Sequence, residues 1–338
     1  MADAILEVLF AGPHVSVQDQ GRTGLMRFGV PASGPLDRVA GRAANLALGN
    51  DADTPVIEVS LGGLSLICRS GEVSFAVAGG GFVVEHAGQK RGSWTVATLR
   101  AGEKLTIRPG HWGSWCYLAF AGTLQSSLWL GHAATHTLSG FGGGKLTAGQ
   151  TWRIAVAERR DAREGDFPCP VFARPKHEIR VTIGPQGRFF ANETIQALLG
   201  EAWKMTDAWD RMGVRLAGPK IAPEATLDMP SEPILRGSVQ VAGDGVASVL
   251  LADHQTTGGY PKIATVLDCD IDAMMQLRPR DELRFLAVTS AAAVEIARAV
   301  AERQRRYRET LAKDRGTFEM RLRSDNLIGG VVDAKRSS

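Results

Sequence analysis

The sequence predicts a mainly β protein with a few short helices, arranged as two β-barrel-like modules and a C-terminal helix. The chain has 338 residues, which is long for one domain and suits two domains of about 150 residues each. It contains 39 glycines, and many of them lie in Gly-Gly or Gly-x-Gly clusters between short apolar runs. Such spacing is typical of strands joined by tight turns, and helical periodicity is confined to a few short segments.

The first module is predicted to span residues 1–160. It opens with an apolar strand at residues 4–10. A helix is predicted at residues 37–49, because Asp37 can cap its N-terminus, alanines favour it, and Gly49 ends it. Further strands are predicted at residues 55–60, 64–68, 73–77, 82–86, 93–98, 104–108 and 115–120.

The second module is predicted to span residues 176–290, after a charged, proline-containing linker at residues 158–175. A helix is predicted at residues 191–200. Strands are predicted at residues 179–183, 203–207, 212–217, 234–242, 246–252, 263–268 and 283–289. The last part, residues 291–338, is predicted to form a C-terminal helix, starting at Ser290 and ending near Lys313, followed by a tail.

Composition argues against several classes of partner. The net charge of +3 gives no electrostatic case for nucleic acid binding. No apolar run approaches the roughly 18 residues that span a bilayer, and no signal-peptide pattern is evident, so we expect a cytoplasmic protein without a membrane partner. His132 and His136 have the spacing of a metal-binding helix, but Ala133 replaces the glutamate of a metalloprotease, and no metal site is predicted.

The most polar turn of the chain, at residues 253–262, follows the apolar strand that ends at Leu251. It groups a carboxylate, an amide, two hydroxyls, a phenol and an amine around two glycines that permit a sharp turn or a close approach to a ligand. This composition suits a polar pocket, and a solvated turn is the alternative. The predicted catalytic residues here are Asp253, Gln255, Thr256, Tyr260 and Lys262, and Thr257, Gly258 and Gly259 are predicted to bind substrate.

Two further polar turns lie in the same module. Asp210 and Arg211 stand side by side before a strand, where together they could hold a ligand carboxylate or phosphate if buried, and would form a weak surface pair if exposed. Ser231 and Glu232 lie in a proline-bracketed turn, for which a purely structural role is the alternative. Three such turns in one module favour a shared pocket.

No phosphate-binding loop is predicted. The segment at residues 139–146 has a Gly-Lys pair, but Ser139 stands at the first glycine position and Leu146 replaces the magnesium-binding hydroxyl. We therefore expect that this chain alone binds no nucleotide.

Several motifs follow one another along the chain: Gln18-Asp19-x-Gly21-Arg22, Gly29-Val30-Pro31-x-Ser33-Gly34-x-x-Asp37, Ala44-Asn45-x-x-x-Gly49-Asn50, Glu58, Phe141-Gly142-Gly143, Asp210-Arg211-Met212-Gly213, Ser231-Glu232, Gly237-x-x-Gln240-Val241 and the turn at residues 253–262. In this order they resemble the biotin-dependent carboxyltransferase family (subdomains A and B). This family is also called allophanate hydrolase subunit 2, and it includes the C-type subunit of 5-oxoprolinase. The resemblance covers about residues 5 to 290 and implies two cyclophilin-like β-barrel modules.

The resemblance implies that the chain is a C-type subunit of a multi-subunit, ATP-dependent 5-oxoprolinase. Its partner would be the B-type subunit of that enzyme, with the A-type subunit as a second candidate. Its substrate would be a small amide or lactam, and its complex would use ATP. One alternative is a component of a biotin-dependent carboxyltransferase like urea carboxylase, which uses carboxybiotin. Another is a non-catalytic partner that sequesters a kinase-inhibitor protein.

Both enzyme hypotheses require polarisation of a resonance-stabilised amide or ureide. Arg211 or Lys262 is the candidate to hold a substrate carboxylate, and Asp253 or Asp210 the candidate base. The remaining substrate-binding candidates are Gln240 in the second module and Gln18, Asp19 and Arg22, which would close the site from the first module.

The chain departs from the family pattern in two informative places. His-Ala-Ala-Thr stands at residues 132–135, where the family commonly has a Ser-Arg-Ser-Thr-like run. Arg280 stands where a turn usually has glycine, so its φ must be negative or its backbone strained. These departures bear on substrate identity more than on the fold.

Overall fold

The computed structural model describes residues 2–224 and 230–313, and within these ranges it confirms a mainly β fold with four α-helices and a closed barrel. The α-helices are α1 (Arg38–Leu48), α2 (Asn192–Gly200), α3 (Asp268–Met274) and α4 (Ser290–Ala312). Short 3₁₀ helices lie at Met26–Phe28, Asp161–Arg163, Val171–Ala173 and Pro185–Phe189. The predicted tail from residue 314 onward lies outside the described residues.

The first half of the chain forms two sheets that enclose one core. Its strands are β1 (Ala4–Ala11), β2 (Ser16–Gln18), β3 (Val56–Ser60), β4 (Leu64–Ser70), β5 (Glu72–Ala78), β6 (Val83–His86), β7 (Gln89–Gly92), β8 (Thr95–Arg100), β9 (Lys104–Arg108), β10 (Trp115–Phe120), β11 (Thr123–Leu124), β12 (Thr151–Ala155) and β13 (Gly165–Asp166). Seven pair in the order β11-β12-β1-β4-β9-β6-β7, and six in the order β13-β8-β5-β10-β3-β2. Leu66 of the first sheet and Phe75 and Leu118 of the second belong to the same buried cluster.

The six-stranded sheet is buried on both faces, which positions the interface between the halves. Along β10, Cys116 and Leu118 face the core between the sheets, whereas Trp115 and Tyr117 join a second core that includes α1 and the barrel. Helix α1 begins as predicted, because the Asp37 side chain accepts a hydrogen bond from the Ala40 backbone at 2.9 Å. The sheet thus presents one face to the second half of the chain.

The second half closes into a seven-stranded barrel. Its strands are β14 (Glu178–Ile183), β15 (Trp203–Trp209), β16 (Gly213–Ala217), β17 (Glu232–Pro233), β18 (Ser238–Val241), β19 (Ala247–Leu250), β20 (Thr257–Gly258), β21 (Lys262–Val266) and β22 (Glu282–Ala287). The barrel order is β14-β21-β18-β19-β16-β15-β22, and β17 pairs separately with β20. In the β18–β21 ladder, Gln240 lies opposite Lys262.

The segment between the halves differs from the predicted linker. Its strand β13 pairs with β8, and the Phe167 backbone donates to the Trp94 carbonyl at 2.8 Å, so this segment is attached to the first half. Charge and proline content suggest a linker between the modules, because backbone pairing leaves no local trace in composition. Helix α4 lies where it was predicted, and Tyr307 anchors it by donating to the Pro168 carbonyl at 2.7 Å.

Helix α3 was not predicted. The expected strand at residues 263–268 ends at Val266, and α3 begins two residues later. Asp268 and Asp270 in its first turn favour a helix N-terminus, but seven residues are too few to display a helical period. No helix among the described residues is long and apolar enough to cross a membrane.

Candidate functional site

The polar turn at residues 253–262 is divided between two environments. Its first residue, Asp253, enters a buried group of charges between the two halves of the molecule. The later residues pair with the turn at residues 232–233, where Glu232 lies opposite Gly258. The predicted site residues of this turn therefore belong to two separate clusters.

The first cluster, named the Arg211 cluster, consists of Arg211, Glu58 and Asp253, all fully buried. Arg211 extends from the barrel half and forms a salt bridge with Glu58 of the first half. Its Nε donates to Asp253 Oδ2 at 3.1 Å, and its Nη2 donates to the Gly34 carbonyl at 2.6 Å. Because all three guanidinium nitrogens already have protein acceptors, the contacts favour an architectural role for Arg211.

The carboxylates of the Arg211 cluster are equally occupied. Glu58 Oε2 accepts from the Tyr117 hydroxyl at 2.9 Å, and Asp253 Oδ2 accepts from the Thr137 hydroxyl at 2.8 Å. Burial by itself would raise the pKa of Asp253, but the guanidinium of Arg211 outweighs it and lowers that pKa below its ordinary value. Asp253 is therefore ionised and paired at neutral pH, which suits it poorly to act as a base.

The second cluster, named the Lys262 cluster, consists of Lys262, Gln186, Glu232, Gln240 and Gln255. The Lys262 ammonium is buried and has no hydrogen-bond partner among the described residues. Gln186 links two neighbours, because its Nε2 donates to Glu232 and its Oε1 accepts from the Lys262 backbone at 2.8 Å. Gln255 Nε2 donates to Gln240 Oε1 at 3.3 Å. The cluster thus combines a cation that has no hydrogen-bond partner among the described residues with three amide groups and one carboxylate.

The electrostatics of the Lys262 cluster follow from this arrangement. Burial lowers the pKa of Lys262, and the nearby carboxylate of Glu232 only partly opposes this effect. An ammonium has three donors and no acceptor, so an unpaired one in a buried position is well suited to bind a carboxylate or to polarise a carbonyl. This cluster is our candidate functional site.

The other residues of the turn form the edge of this site. Tyr260 is 44% exposed, Thr257 is exposed, and Gly259 is half-buried. The Thr256 carbonyl accepts from the Ile234 backbone at 3.0 Å. A Cβ atom at Gly258 would lie 2.7 Å from Ile234 Cδ1, so a larger residue here would require the end of the Ile234 side chain to shift.

Asp210 and Ser231 are both exposed. Asp210 Oδ1 accepts from the Met212 backbone at 2.7 Å and from the Gly213 backbone at 3.2 Å, which is the geometry of a turn cap. Its contacts favour a structural role in the turn before β16. Ser231 directly precedes Glu232 at the Lys262 cluster.

The three candidates from the first half contact a loop at residues 132–136 and the Arg211 cluster. Gln18 Nε2 donates to the Thr135 carbonyl at 3.2 Å, and its Oε1 accepts from Arg211 at 3.3 Å. Asp19 Oδ2 accepts from the backbone of Ala133 at 2.7 Å. Arg22 lies 4.5 Å above the Trp129 ring. These residues brace the loop in which the chain departs from the family pattern.

Arg280 adopts the strained alternative. Its φ is +76°, and its backbone nitrogen donates to the Met205 carbonyl at 2.8 Å. This hydrogen bond holds the left-handed conformation that a glycine would adopt without strain.

Sequence reasoning missed two residues of these clusters as site residues. Gln186 lies in a Gly-Pro-Gln-Gly turn that has no local signal, because its partners lie 46 and 76 residues away. Glu58 does have a signal, since it is a carboxylate within a strand whose residues are all buried. A buried carboxylate requires a partner cation, but only the fold shows which residue that cation belongs to.

The Gly-rich loop that ends at Gly144 packs against the loop at residues 132–136. A Cβ atom at Gly142 would collide with the Ala134 carbonyl oxygen, and one at Gly143 would lie 2.7 Å from the Ala133 carbonyl oxygen. These glycines permit close packing of two backbone segments, and the Gly143 amide donates to the Ala133 carbonyl at 2.7 Å. Within the described ranges, no group of three or more His, Cys, Asp or Glu residues could hold a metal ion.

Comparison with known proteins identifies the family. The family described as "Carboxyltransferase domain, subdomain A and B" matches residues 28–287. The chain belongs to this family. It is 31% identical to the C subunit of 5-oxoprolinase from Escherichia coli, over 91% of this chain and 98% of that protein. It is also 31% identical to the C subunit of 5-oxoprolinase from Haemophilus influenzae, over 87% of this chain and 94% of that protein.

Solved structures of similar proteins share the fold. The urea amidolyase of K. lactis superposes with a TM-score of 0.79 and 26% identity, over 90% of this chain and 20% of that chain. The structure of TTHA0988 superposes with a TM-score of 0.74 and 34% identity, over 84% of this chain and 55% of that chain. This family member therefore spans only part of each of these two longer chains.

Proposed function

We propose that this chain is the C-type subunit of an ATP-dependent 5-oxoprolinase and works with a B-type subunit on 5-oxoproline. The observation that supports this most is the buried, unpaired ammonium of Lys262 beside Glu232 and three glutamines. The similarity to two proteins named as the C subunit of 5-oxoprolinase, which extends over nearly their whole length, also supports it.

The Lys262 cluster matches the functional groups of a five-membered lactam that carries a carboxylate. Lys262 would bind the carboxylate and so gain the partner that it lacks among the described residues. Gln255 and Gln240 share a single hydrogen bond, which uses only one of their amide N–H donors. Their remaining amide N–H groups can donate to the lactam oxygen. Glu232 is held by Gln186 through Oε2, which leaves its second oxygen to accept from the lactam N–H.

Ring opening of an unstrained lactam requires activation of its carbonyl. ATP would supply this activation in the assembled complex, because transfer of its γ-phosphoryl group to the lactam oxygen would release ADP, and hydrolysis would then release phosphate and glutamate. In the Gly-rich loop, Gly142 and Gly143 are occupied in backbone packing, and we assign ATP to one of the partners, either the B-type or the A-type subunit. In this proposal the chain binds and orients the substrate and excludes water from its carboxylate.

The test is to purify the chain together with its B-type and A-type partners and to measure glutamate release from 5-oxoproline. We expect release that depends on ATP and on all three proteins. A complex that instead carboxylates urea in the presence of a carboxylated biotin protein would establish the carboxyltransferase alternative, which the similarity to K. lactis urea amidolyase favours. A chain that lacks both activities and binds a kinase-inhibitor protein would support the non-catalytic alternative.

A further inference from the structure

A cavity of about 230 Å³ lies between three helices on a different part of the molecule. Helix α1 comes from the first half, α3 follows the barrel strand β21, and α4 lies across both. The family match ends at residue 287, before α4 begins, so one wall of this cavity is formed by an element outside the matched region. The cavity thus lies partly outside the region that the family comparison covers.

One part of the cavity wall is apolar. Val39 and Ala43 of α1, Leu267 before α3, and Val300 of α4 line it. The ring of Phe172 also lines it and meets the ring of Tyr307 edge-to-face, with 5.8 Å between the centroids. A surface of this kind favours a flat apolar group.

The cavity also carries an uncompensated positive charge. Arg38 is neutralised by Asp268 at 2.9 Å and by Asp272 at 3.0 Å, and Arg42 forms a salt bridge with Asp53 at 3.3 Å. Arg308 lines the cavity and has no salt-bridge partner within residues 2–224 and 230–313. A ligand that complements this wall is therefore apolar at one end and anionic at the other.

We propose that this cavity is a binding site for a small aromatic carboxylate. Its volume supports the size, since an apolar cavity of about 150 Å³ holds benzene, and the additional volume accommodates a second ring or a carboxylate. The carboxylate pairs with Arg308, and the ring packs between α1 and Phe172.

The site is distinct from the Lys262 cluster. Lys262 lies at the start of β21 and Leu267 just beyond its end, so the two sites are about 17 Å apart along an extended strand. A ligand in the cavity consequently does not compete with substrate at Lys262.

The experiment is calorimetric titration of the full chain with 2-naphthoate and with 2-naphthamide, which has the same shape and no charge. We expect 2-naphthoate to bind with a dissociation constant of about 1 mM or tighter, as is typical for a ligand of this size. Arg308→Gln should weaken 2-naphthoate roughly fivefold and leave 2-naphthamide unchanged, because only the charge pair is lost. Arg303→Gln, on the exposed side of the same helix, should change neither.

A second variant tests the cavity itself. Ala301 lines the cavity from α4 and is exposed at its edge, so Ala301→Trp should fill the space without disturbing the core and abolish binding of both ligands. The proposal is overturned if 2-naphthoate does not bind to the wild type, or if Arg308→Gln binds it as tightly as Arg303→Gln does. Should Ala301→Trp fail to fold, the two arginine variants still decide the question.

Discussion

The charged groups of Lys262 and Arg211 are both buried, but their contacts indicate different roles. Arg211 is bound by two carboxylates and a carbonyl oxygen, so its charge is fully used within the protein. The Lys262 ammonium has no such partner among the described residues. A buried cation without a partner is unfavourable for folding, and such groups cluster at functional sites.

Removing the Lys262 charge should not destabilise the protein. In Lys262→Met the side chain keeps a similar length and loses an ammonium that makes no hydrogen bond within the described residues. We expect the melting temperature of the isolated chain to stay the same or to rise. Lys104→Met, at an exposed position of β9, is the control and should leave it unchanged. A clear decrease for Lys262→Met alone would mean that the ammonium has a structural partner.

The lowered pKa of Lys262 predicts a pH dependence of substrate binding. Because burial lowers this pKa, the ammonium loses its proton at a lower pH than an ordinary lysine side chain, whose pKa is about 10.4. The KM for 5-oxoproline should therefore rise as the pH increases through this lowered pKa, and binding should be strongest below it. Lys262→Arg, which remains protonated in this range, should abolish the rise even if its overall affinity is weaker.

The turn before β22 is an element whose sequence opposes its conformation. Arg280 has a φ of +76°, a conformation that costs a residue with a Cβ atom about 1–2 kcal/mol. Arg280→Gly should stabilise the chain by roughly 0.5–1 kcal/mol, the strain relieved less the added entropy of the unfolded chain. Chemical denaturation measures this change. Lys104→Gly, in strand β9, should instead lower the free energy of unfolding. If both variants or neither variant stabilise the chain, the backbone at Arg280 is not strained.

Elements differ in how far the sequence predicts them. Helix α1 was predicted almost to the residue, because Asp37 and Gly49 act as local signals at its two ends. Strand β7 was missed, since its four residues are all exposed and show no alternation. The pairing of β13 with β8 was also missed, because the two strands are about seventy residues apart and neither signals the other.

At the scale of the whole molecule, the Arg211 cluster ties the two halves together. Arg211→Met would leave the carboxylates of Glu58 and Asp253 buried and unpaired, which should reduce the free energy of unfolding by about 3–5 kcal/mol. Arg215→Met is the control, because Arg215 forms an exposed salt bridge with Asp244, and it should reduce this free energy by under about 1 kcal/mol. Equal effects of the two variants would contradict the role of Arg211 as a tie.

The candidate site was only partly predictable from the sequence. The turn at residues 253–262 and Glu232 were identified by their composition, and the structure brings Gln255, Lys262 and Glu232 into one cluster. The separation of Asp253 from the later residues of the turn was not foreseen, since it depends on Glu58, which lies 153 residues before Arg211. The contact between Glu58 and Arg211 forms only when the two halves dock, so it leaves no local pattern in the sequence.

The measurement that tests the central claim most directly is glutamate release by the reconstituted complex containing Lys262→Met. Loss of a charged hydrogen bond to the substrate carboxylate should lower kcat/KM for 5-oxoproline by about tenfold to a hundredfold, whereas the matched Lys104→Met complex should retain wild-type activity. If the Lys262→Met complex assembles and turns over 5-oxoproline at the wild-type rate, the Lys262 cluster is not where the substrate binds.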